Sequence, residues 1–176
     1  LLGGLTAMLT VLVMEYFDRG FRSMSEVERV AQVPCIGMVP MLPHKNSRSQ
    51  AKYILDKPLS SYAEALRTVH TAIHFINAAN PAKVVMVTSS VPHEGKTTLA
   101  LGLTRLMART GQKVLLIDAD LRHPRVHEIL GLDNKAHHLA AVLQGSCTAD
   151  EAISKDESGA DILLGRGTTL SPQNLL

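Results

Sequence analysis

Between Lys83 and Asp120 the chain runs through two apolar, β-branched stretches, "KVVMVTSS" and "KVLLIDAD", joined by the loop "SSVPHEGKTT" and a helix-like segment. Continuous apolar runs of this kind suit strands buried on both faces. Residues 97 to 110 carry helical periodicity and stop near Gly111. Strand, glycine-lysine loop, helix, strand is a βαβ unit, which demands parallel strands with a crossover helix packed on the sheet. The pattern therefore places the chain in the α/β class, with a parallel sheet covered by helices on both faces.

The loop has the spacing of a phosphate-binding turn. A glycine, four residues, then Gly-Lys-[Ser/Thr] is the usual pattern; here Ser90, Val91, Pro92, His93, Glu94, Gly95, Lys96 and Thr97 fill it with one substitution, serine at the head. Successive backbone N–H groups and a helix N-terminus make the anion cradle, so the first position needs a small side chain more than it needs glycine. Lys96 is placed to bridge the β- and γ-phosphates of a nucleotide, and the Thr97 hydroxyl to ligate Mg²⁺, with Thr98 closing the motif. A bare Gly-Lys-Thr triplet carries little weight; preceded by an apolar strand pattern and followed by a helix it indicates a P-loop NTPase-like fold.

"VLLIDADLRHP" puts two carboxylates, Asp118 and Asp120, at the C-terminal end of the second run, where open parallel sheets hold their ligands. Beside a phosphate site they can hold Mg²⁺ directly or through water, or take a proton from an attacking hydroxyl. One of them capping the following helix is the plainer alternative. Arg122 can reach phosphates or pair with a neighbouring carboxylate, and its position two residues past the pair does not choose between them.

The opening "LLGGLTAMLTVLVM" is uncharged and apolar on every helical face. Fourteen residues at 1.5 Å each span about 21 Å, less than the roughly 30 Å of a bilayer core. The run reads as the end of a transmembrane helix over residues 1–16, with Arg19, Arg22 and Arg29 placing the rest of the chain on the cytoplasmic side. Residues 17–58 read as a juxtamembrane segment and linker. Ser25 and Glu28 have capping-box spacing for a short helix, "CIGMVPMLP" suggests a short strand, and His44 to Pro58 is apolar-poor and linker-like. The remaining residues, 59–176, read as a partial P-loop domain. It opens with an amphipathic helix over 59–79 striped by Leu59, Tyr62, Leu66, Val69, Ile73 and Ile76. Helices near 124–130, 138–144 and 149–154 and a strand "DILLG" complete the pattern. A formal net charge of +2 with interspersed signs leaves no footprint for nucleic acid. Cys35 and Cys147 have no metal or disulfide spacing, and the pairs His70/His74 and His123/His127, at i and i+4, lack a third ligand. His137 and His138 read as surface residues of a loop.

"SSVPHEGKTT", "LLIDADLR" and "HPRVHEILGL" together resemble the cytoplasmic kinase domain of the bacterial tyrosine kinases coupled to capsule and exopolysaccharide export. "EYFDRGFRSMSEVERVAQVPCIGMVP" is similar to the segment joining the second membrane helix of a polysaccharide co-polymerase to that domain. The resemblance implies ATP and Mg²⁺ bound by Lys96 and Thr97, with Asp118 and Asp120 serving metal binding and activation of an acceptor tyrosine hydroxyl. It also implies autophosphorylation between subunits of a ring in the bacterial inner membrane. The partners would be the neighbouring subunits, their tyrosine-rich tail and the polysaccharide export machinery. The family contacts the neighbouring subunit through Glu-x-x-Arg-x-x-Arg; here Glu64 and Arg67 are present and His70 stands at the second arginine. A largely neutral imidazole does not replace a forked, fixed cation, so that substitution bears directly on ring assembly. His93 occupies a place where these loops often have glycine, and the family's third phosphate-side motif and tyrosine cluster are expected beyond residue 176.

Two rival readings share the loop. A partitioning or septum-placement ATPase usually has a second lysine early in the loop, where this chain has Ser89 and Ser90. A non-catalytic, ATP-binding assembly scaffold of the exporter would not require Lys96, Thr97, Asp118 and Asp120 to be kept together.

Overall fold

A computed structural model describes residues 2–17, 21, 23–43, 46–76, 79–132 and 137–165, arranged in two compact units, Leu1–Met38 and Val39–Leu176. Residues 46–58, polar in sequence, fold with the larger unit.

In the smaller unit, α1 (Leu2–Phe17) exposes Met8, Leu9, Val11, Leu12, Val13 and Met14. Its threonines turn their hydroxyls inward along the helix, Thr6 donating to the Gly3 carbonyl at 3.0 Å and Thr10 to the Thr6 carbonyl at 2.8 Å. Such back-bonding satisfies the hydroxyls within the helix and leaves an apolar exterior. Sixteen residues span about 24 Å, and no helix among the described residues is long and apolar enough to cross a membrane. The second helix, α2 (Met24–Ala31), starts one cap earlier than its spacing predicts. Ser23, not Ser25, accepts the Glu26 N–H, and Glu28 takes the Cys35 N–H at 2.9 Å instead of closing a capping box. Of the basic residues that follow α1, Arg19 and Arg22 lie outside the described residues.

The expected strand across 35–43 does not form; Pro40 and Pro43 interrupt it and the segment has no ladder partner. The expected linker is helical instead. In α3 (Ser47–Asp56), capped by Asn46, Ala51 and Ile54 are buried, and two apolar side chains at i, i+3 suffice once a neighbour covers them. α4 (Ser61–Phe75), capped by Ser60, buries Tyr62, Ala63, Leu66 and Val69. Ile76 is its C-cap, and Asn77 and Ala78, within the span expected to be helical, lie outside the described residues.

The centre of the larger unit is α5 (Lys96–Arg109), in which residues 101–106 are all buried. α3 and α4 both pack on it. At Gly102 α4 approaches closely: a Cβ there would stand 2.6 Å from the Tyr62 hydroxyl and 2.8 Å from Leu66 Cδ1. Beyond α5 come β1 (Leu115–Ile117), α6 (Val126–Leu130), α7 (Leu139–Leu143), α8 (Ala149–Ala152), β2 (Ile153–Lys155) and β3 (Asp161–Leu163). β3 is central, parallel to β1 with Leu116 opposite Ile162, and antiparallel to β2. Leu101, Val126, Ala160, Ile162 and Leu164 join Ala51 in the core. His138 is not a surface loop residue: its Nδ1 accepts the Ala141 N–H and caps α7.

The strand expected before the loop is a correction. Residues 84–89 are not part of a ladder, with Val84 90% and Met86 84% exposed. A β-branched run becomes a strand only when a neighbouring strand and a covering layer accept it. Among the described residues the parallel pairing of the sheet is β1 with β3.

Candidate functional site

The loop between Ser89 and α5 closes on itself. Gly95 is the N-cap of α5 at φ 88°, and its carbonyl accepts the Leu99 N–H at 2.9 Å to begin the helix. His93 is also left-handed, at φ 69°, a region that costs a residue with a Cβ roughly 1–2 kcal/mol. Between them, the Glu94 carboxylate turns back and accepts the Ser90 N–H at 2.9 Å and the Val91 N–H at 3.2 Å through the same oxygen. The Ser89 hydroxyl donates to the Val91 carbonyl at 2.9 Å. Pro92 has no N–H to offer.

At the other end of the loop Lys96, in the first turn of α5, meets Asp120 across 3.5 Å, both side chains being partly exposed. Of the two carboxylates that the sequence singles out, Asp120 faces the loop lysine, and Asp118 lies buried two residues before it. They are in different states. Asp118 is only 8% exposed, and its oxygens accept the Val126 N–H at 3.2 Å and the Asp120 N–H at 3.3 Å. Burial pushes its carboxyl above the ordinary value and the Asp120 charge adds to this, against the pull of the backbone N–H groups. Asp120 is held below its usual value by the His123 N–H, at 3.0 Å, and, against the opposing effect of burial, by Lys96. Both aspartates also organise the approach to α6, Asp120 through the His123 N–H and Asp118 through the Val126 N–H, although the N-cap position itself is Arg125. Thr97 is half-buried beside Lys96, and Arg122 is exposed on the bend after the pair.

Three contacts hold this arrangement that sequence reasoning did not anticipate. Gly165, just past β3, lies so close to Asp118 that a Cβ would stand 2.4 Å from its carbonyl oxygen and 3.0 Å from its carboxyl carbon. The Tyr62 hydroxyl donates to the Thr98 carbonyl at 3.2 Å, and burial pushes its pKa up to about 12. Deep under α5, Arg105 makes a bidentate pair with Asp156 at 2.8 and 2.6 Å and donates to the Ala51 carbonyl. The "DILLG" ending was a faint signal for Gly165; for Arg105 the sequence offered none, since a charged residue amid a helix normally faces solvent.

On α4, Arg67 spends its guanidinium within the chain, pairing with Glu64 and donating to the Pro58 carbonyl at 2.7 Å. The His70 ring lies edge-on to His74 at 4.7 Å between centroids. Burial, followed by the His74 charge, lowers its pKa, which the Gln112 side chain only partly offsets.

Residues 85–165 match the CobQ/CobB/MinD/ParA nucleotide binding domain. Among curated proteins, the chain is 37% identical over 134 residues to the tyrosine-protein kinase YwqD of Bacillus subtilis, covering 76% of this chain and 56% of that protein. It is 32% identical over 123 residues to the tyrosine-protein kinase etk of Escherichia coli K12, covering 69% of this chain and 17% of that protein. The chain therefore spans little more than half of the first relative and a smaller part of the second. Among solved structures, the kinase domain of the Escherichia coli tyrosine kinase ETK superposes with a TM-score of 0.76 at 26% identity, covering 89% of this chain and 65% of that one. A glycine-lysine loop whose lysine meets Asp120 on an α/β scaffold agrees with these likenesses: the chain carries a P-loop nucleotide-binding domain of the CobQ/CobB/MinD/ParA type and is homologous to bacterial tyrosine-protein kinases.

Proposed function

We propose that this chain is part of an ATP- and Mg²⁺-dependent protein-tyrosine autokinase of the bacterial inner membrane that regulates exopolysaccharide or capsule chain length and export. The observation that carries the reading is the meeting of Lys96, at the head of α5, with Asp120, two residues from the buried Asp118. In this reading residues 1–16 end a membrane-spanning helix, residues 17–58 join it to the catalytic part, and residues 59–176 belong to the kinase domain.

The backbone N–H groups at the start of α5 receive the phosphates, and Lys96 leaves Asp120 to follow the transferred γ-phosphoryl. Thr97, Asp118 and Asp120 form an all-oxygen donor set that fits Mg²⁺. When bound, that cation would neutralise the charge on the phosphate oxygens. Asp120, held ionised, is the better partner for cations. Asp118, whose proton affinity is raised by burial, is the better acceptor for the proton of an incoming tyrosine hydroxyl. The acceptor tyrosines belong to the tail of a neighbouring subunit; Glu64 and Arg67 stand at the subunit contact, and His70, in place of a second fixed cation, weakens the ring there.

The test uses the full-length protein with γ-labelled ATP. Wild type labels itself on tyrosine and Lys96→Ala reduces labelling by at least about a hundredfold, as expected when a phosphate-stabilising cation is lost. Equal labelling of both proteins would remove Lys96 from its role. Wild-type protein that binds ATP and never labels would establish the scaffold alternative instead.

A further inference from the structure

We infer that Glu94 is a positioning residue for the nucleotide loop, acting through the backbone of Ser90 and Val91 and not by touching the nucleotide. The inference rests on the reading of this loop as an ATP site.

A phosphate loop needs its N–H groups to converge on one point. Here the front half cannot contribute to that point: the Ser90 and Val91 N–H groups are both held by one Glu94 oxygen, at 2.9 and 3.2 Å. The next residue, Pro92, has no N–H. Donors for an anion are therefore confined to the back half, where the first turn of α5 has N–H groups without intrahelical partners. The Glu94 side chain can reach backward because its neighbours on both sides are left-handed, His93 at φ 69° and Gly95 at φ 88°. His93 is disfavoured there, and its conformation persists only if something ties the loop together. Glu94 and the Ser89 hydroxyl, which donates to the Val91 carbonyl at 2.9 Å, are the ties among the described residues. The carboxylate is thus a clasp that sets the loop in its phosphate-receiving shape before the nucleotide arrives, and pre-organisation of this kind is read as affinity.

The clasp needs an acceptor oxygen at the end of a two-methylene arm. Glutamine keeps that oxygen, aspartate shortens the arm by one methylene, and alanine removes it. In the full-length protein, a fluorescent ATP analogue is expected to bind Glu94→Ala and Glu94→Asp about tenfold more weakly than wild type, and Glu94→Gln within about threefold. Amide hydrogen exchange at Ser90 and Val91 should quicken in the alanine and aspartate variants and stay slow in the glutamine variant. If Glu94→Ala does not fold, the glutamine and aspartate variants carry the comparison. Unchanged affinity in Glu94→Asp or Glu94→Ala overturns the inference, as does glutamine binding as weakly as aspartate. Tighter binding on losing the carboxylate would also overturn it, showing an anion that competes with phosphate. Lys96→Ala separates the clasp from the ATP site itself. If wild type binds no nucleotide, or binds it as well as Lys96→Ala does, the ATP-site reading fails; if Lys96 matters and Glu94 does not, only the clasp fails.

Discussion

Asp118 and Asp120 stand two residues apart and hold protons with opposite tendencies. Asp120 gains from the His123 N–H and Lys96, whereas Asp118 is held chiefly by burial in a position that disfavours its charge. A carboxyl whose folded-state pKa is raised stabilises the fold below its unfolded value and loses that contribution as pH rises through the folded value. The charged form of Asp118 is therefore a liability to stability that the site retains. Asp118→Asn should raise the thermal midpoint of the nucleotide-free protein by roughly 2–4 °C at pH 7, with the gain shrinking as pH falls, while tyrosine labelling is lost. A lower midpoint at pH 7 would show that the carboxylate is needed for its hydrogen bonds to Val126 and Asp120 more than it suffers from burial. The residue types at this site were legible because "GKTT" and "DAD" state their chemistry directly. The difference between the two aspartates was not, since it depends on how deeply the fold buries Asp118, with Gly165, forty-seven positions along the chain, packed against it.

At the scale of elements, α5 links the nucleotide loop to everything that packs beneath it. α4 meets it at Gly102 and Thr98 through Tyr62, and α3 is tied to it by Arg105, which also grips Asp156 in the turn between β2 and β3. Burial would raise the Asp156 carboxyl, but the hydrogen bonds of Arg105 and Ser158 and the Arg105 charge outweigh it and hold it low. Its contribution to stability is therefore present above the ordinary carboxylate range and lost as pH falls through its depressed value. Breaking the pair with Asp156→Ala leaves a buried guanidinium without its carboxylate and should cost about 3–5 kcal/mol in denaturant unfolding at pH 7. The cost should narrow in acid, and a loss below about 1 kcal/mol would mean that water replaces the carboxylate. Helix periodicity exposed α4 and α5 to a sequence reading because each buries a long stripe. α3 was hidden by its polarity: only Ala51 and Ile54 are buried, and the covering surface belongs to residues far along the chain.

Taken as a whole, the chain carries an exposed apolar helix in its smaller unit and the nucleotide-binding loop in its larger one. If α1 meets lipid, the full chain should sediment with phospholipid vesicles, and Leu9→Glu with Leu12→Glu should release it, because one charge at the centre of a membrane helix costs about 2.5–3.5 kcal/mol. Undiminished sedimentation of the double variant would take α1 out of that role. The sequence by itself determined what depends on neighbours along the chain: the α/β class, the helix after the loop, the lysine and threonine at its start, and the apolar character of the first fourteen residues. Tertiary structure decided what depends on partners in space. It left residues 84–89 without a ladder, folded an apparent linker into α3, and buried Arg105 with Asp156. The physical reason is common to all three. Strand pairing, the covering of a short apolar stripe and burial of a charge each take their free energy from contacts whose members the linear order does not bring together.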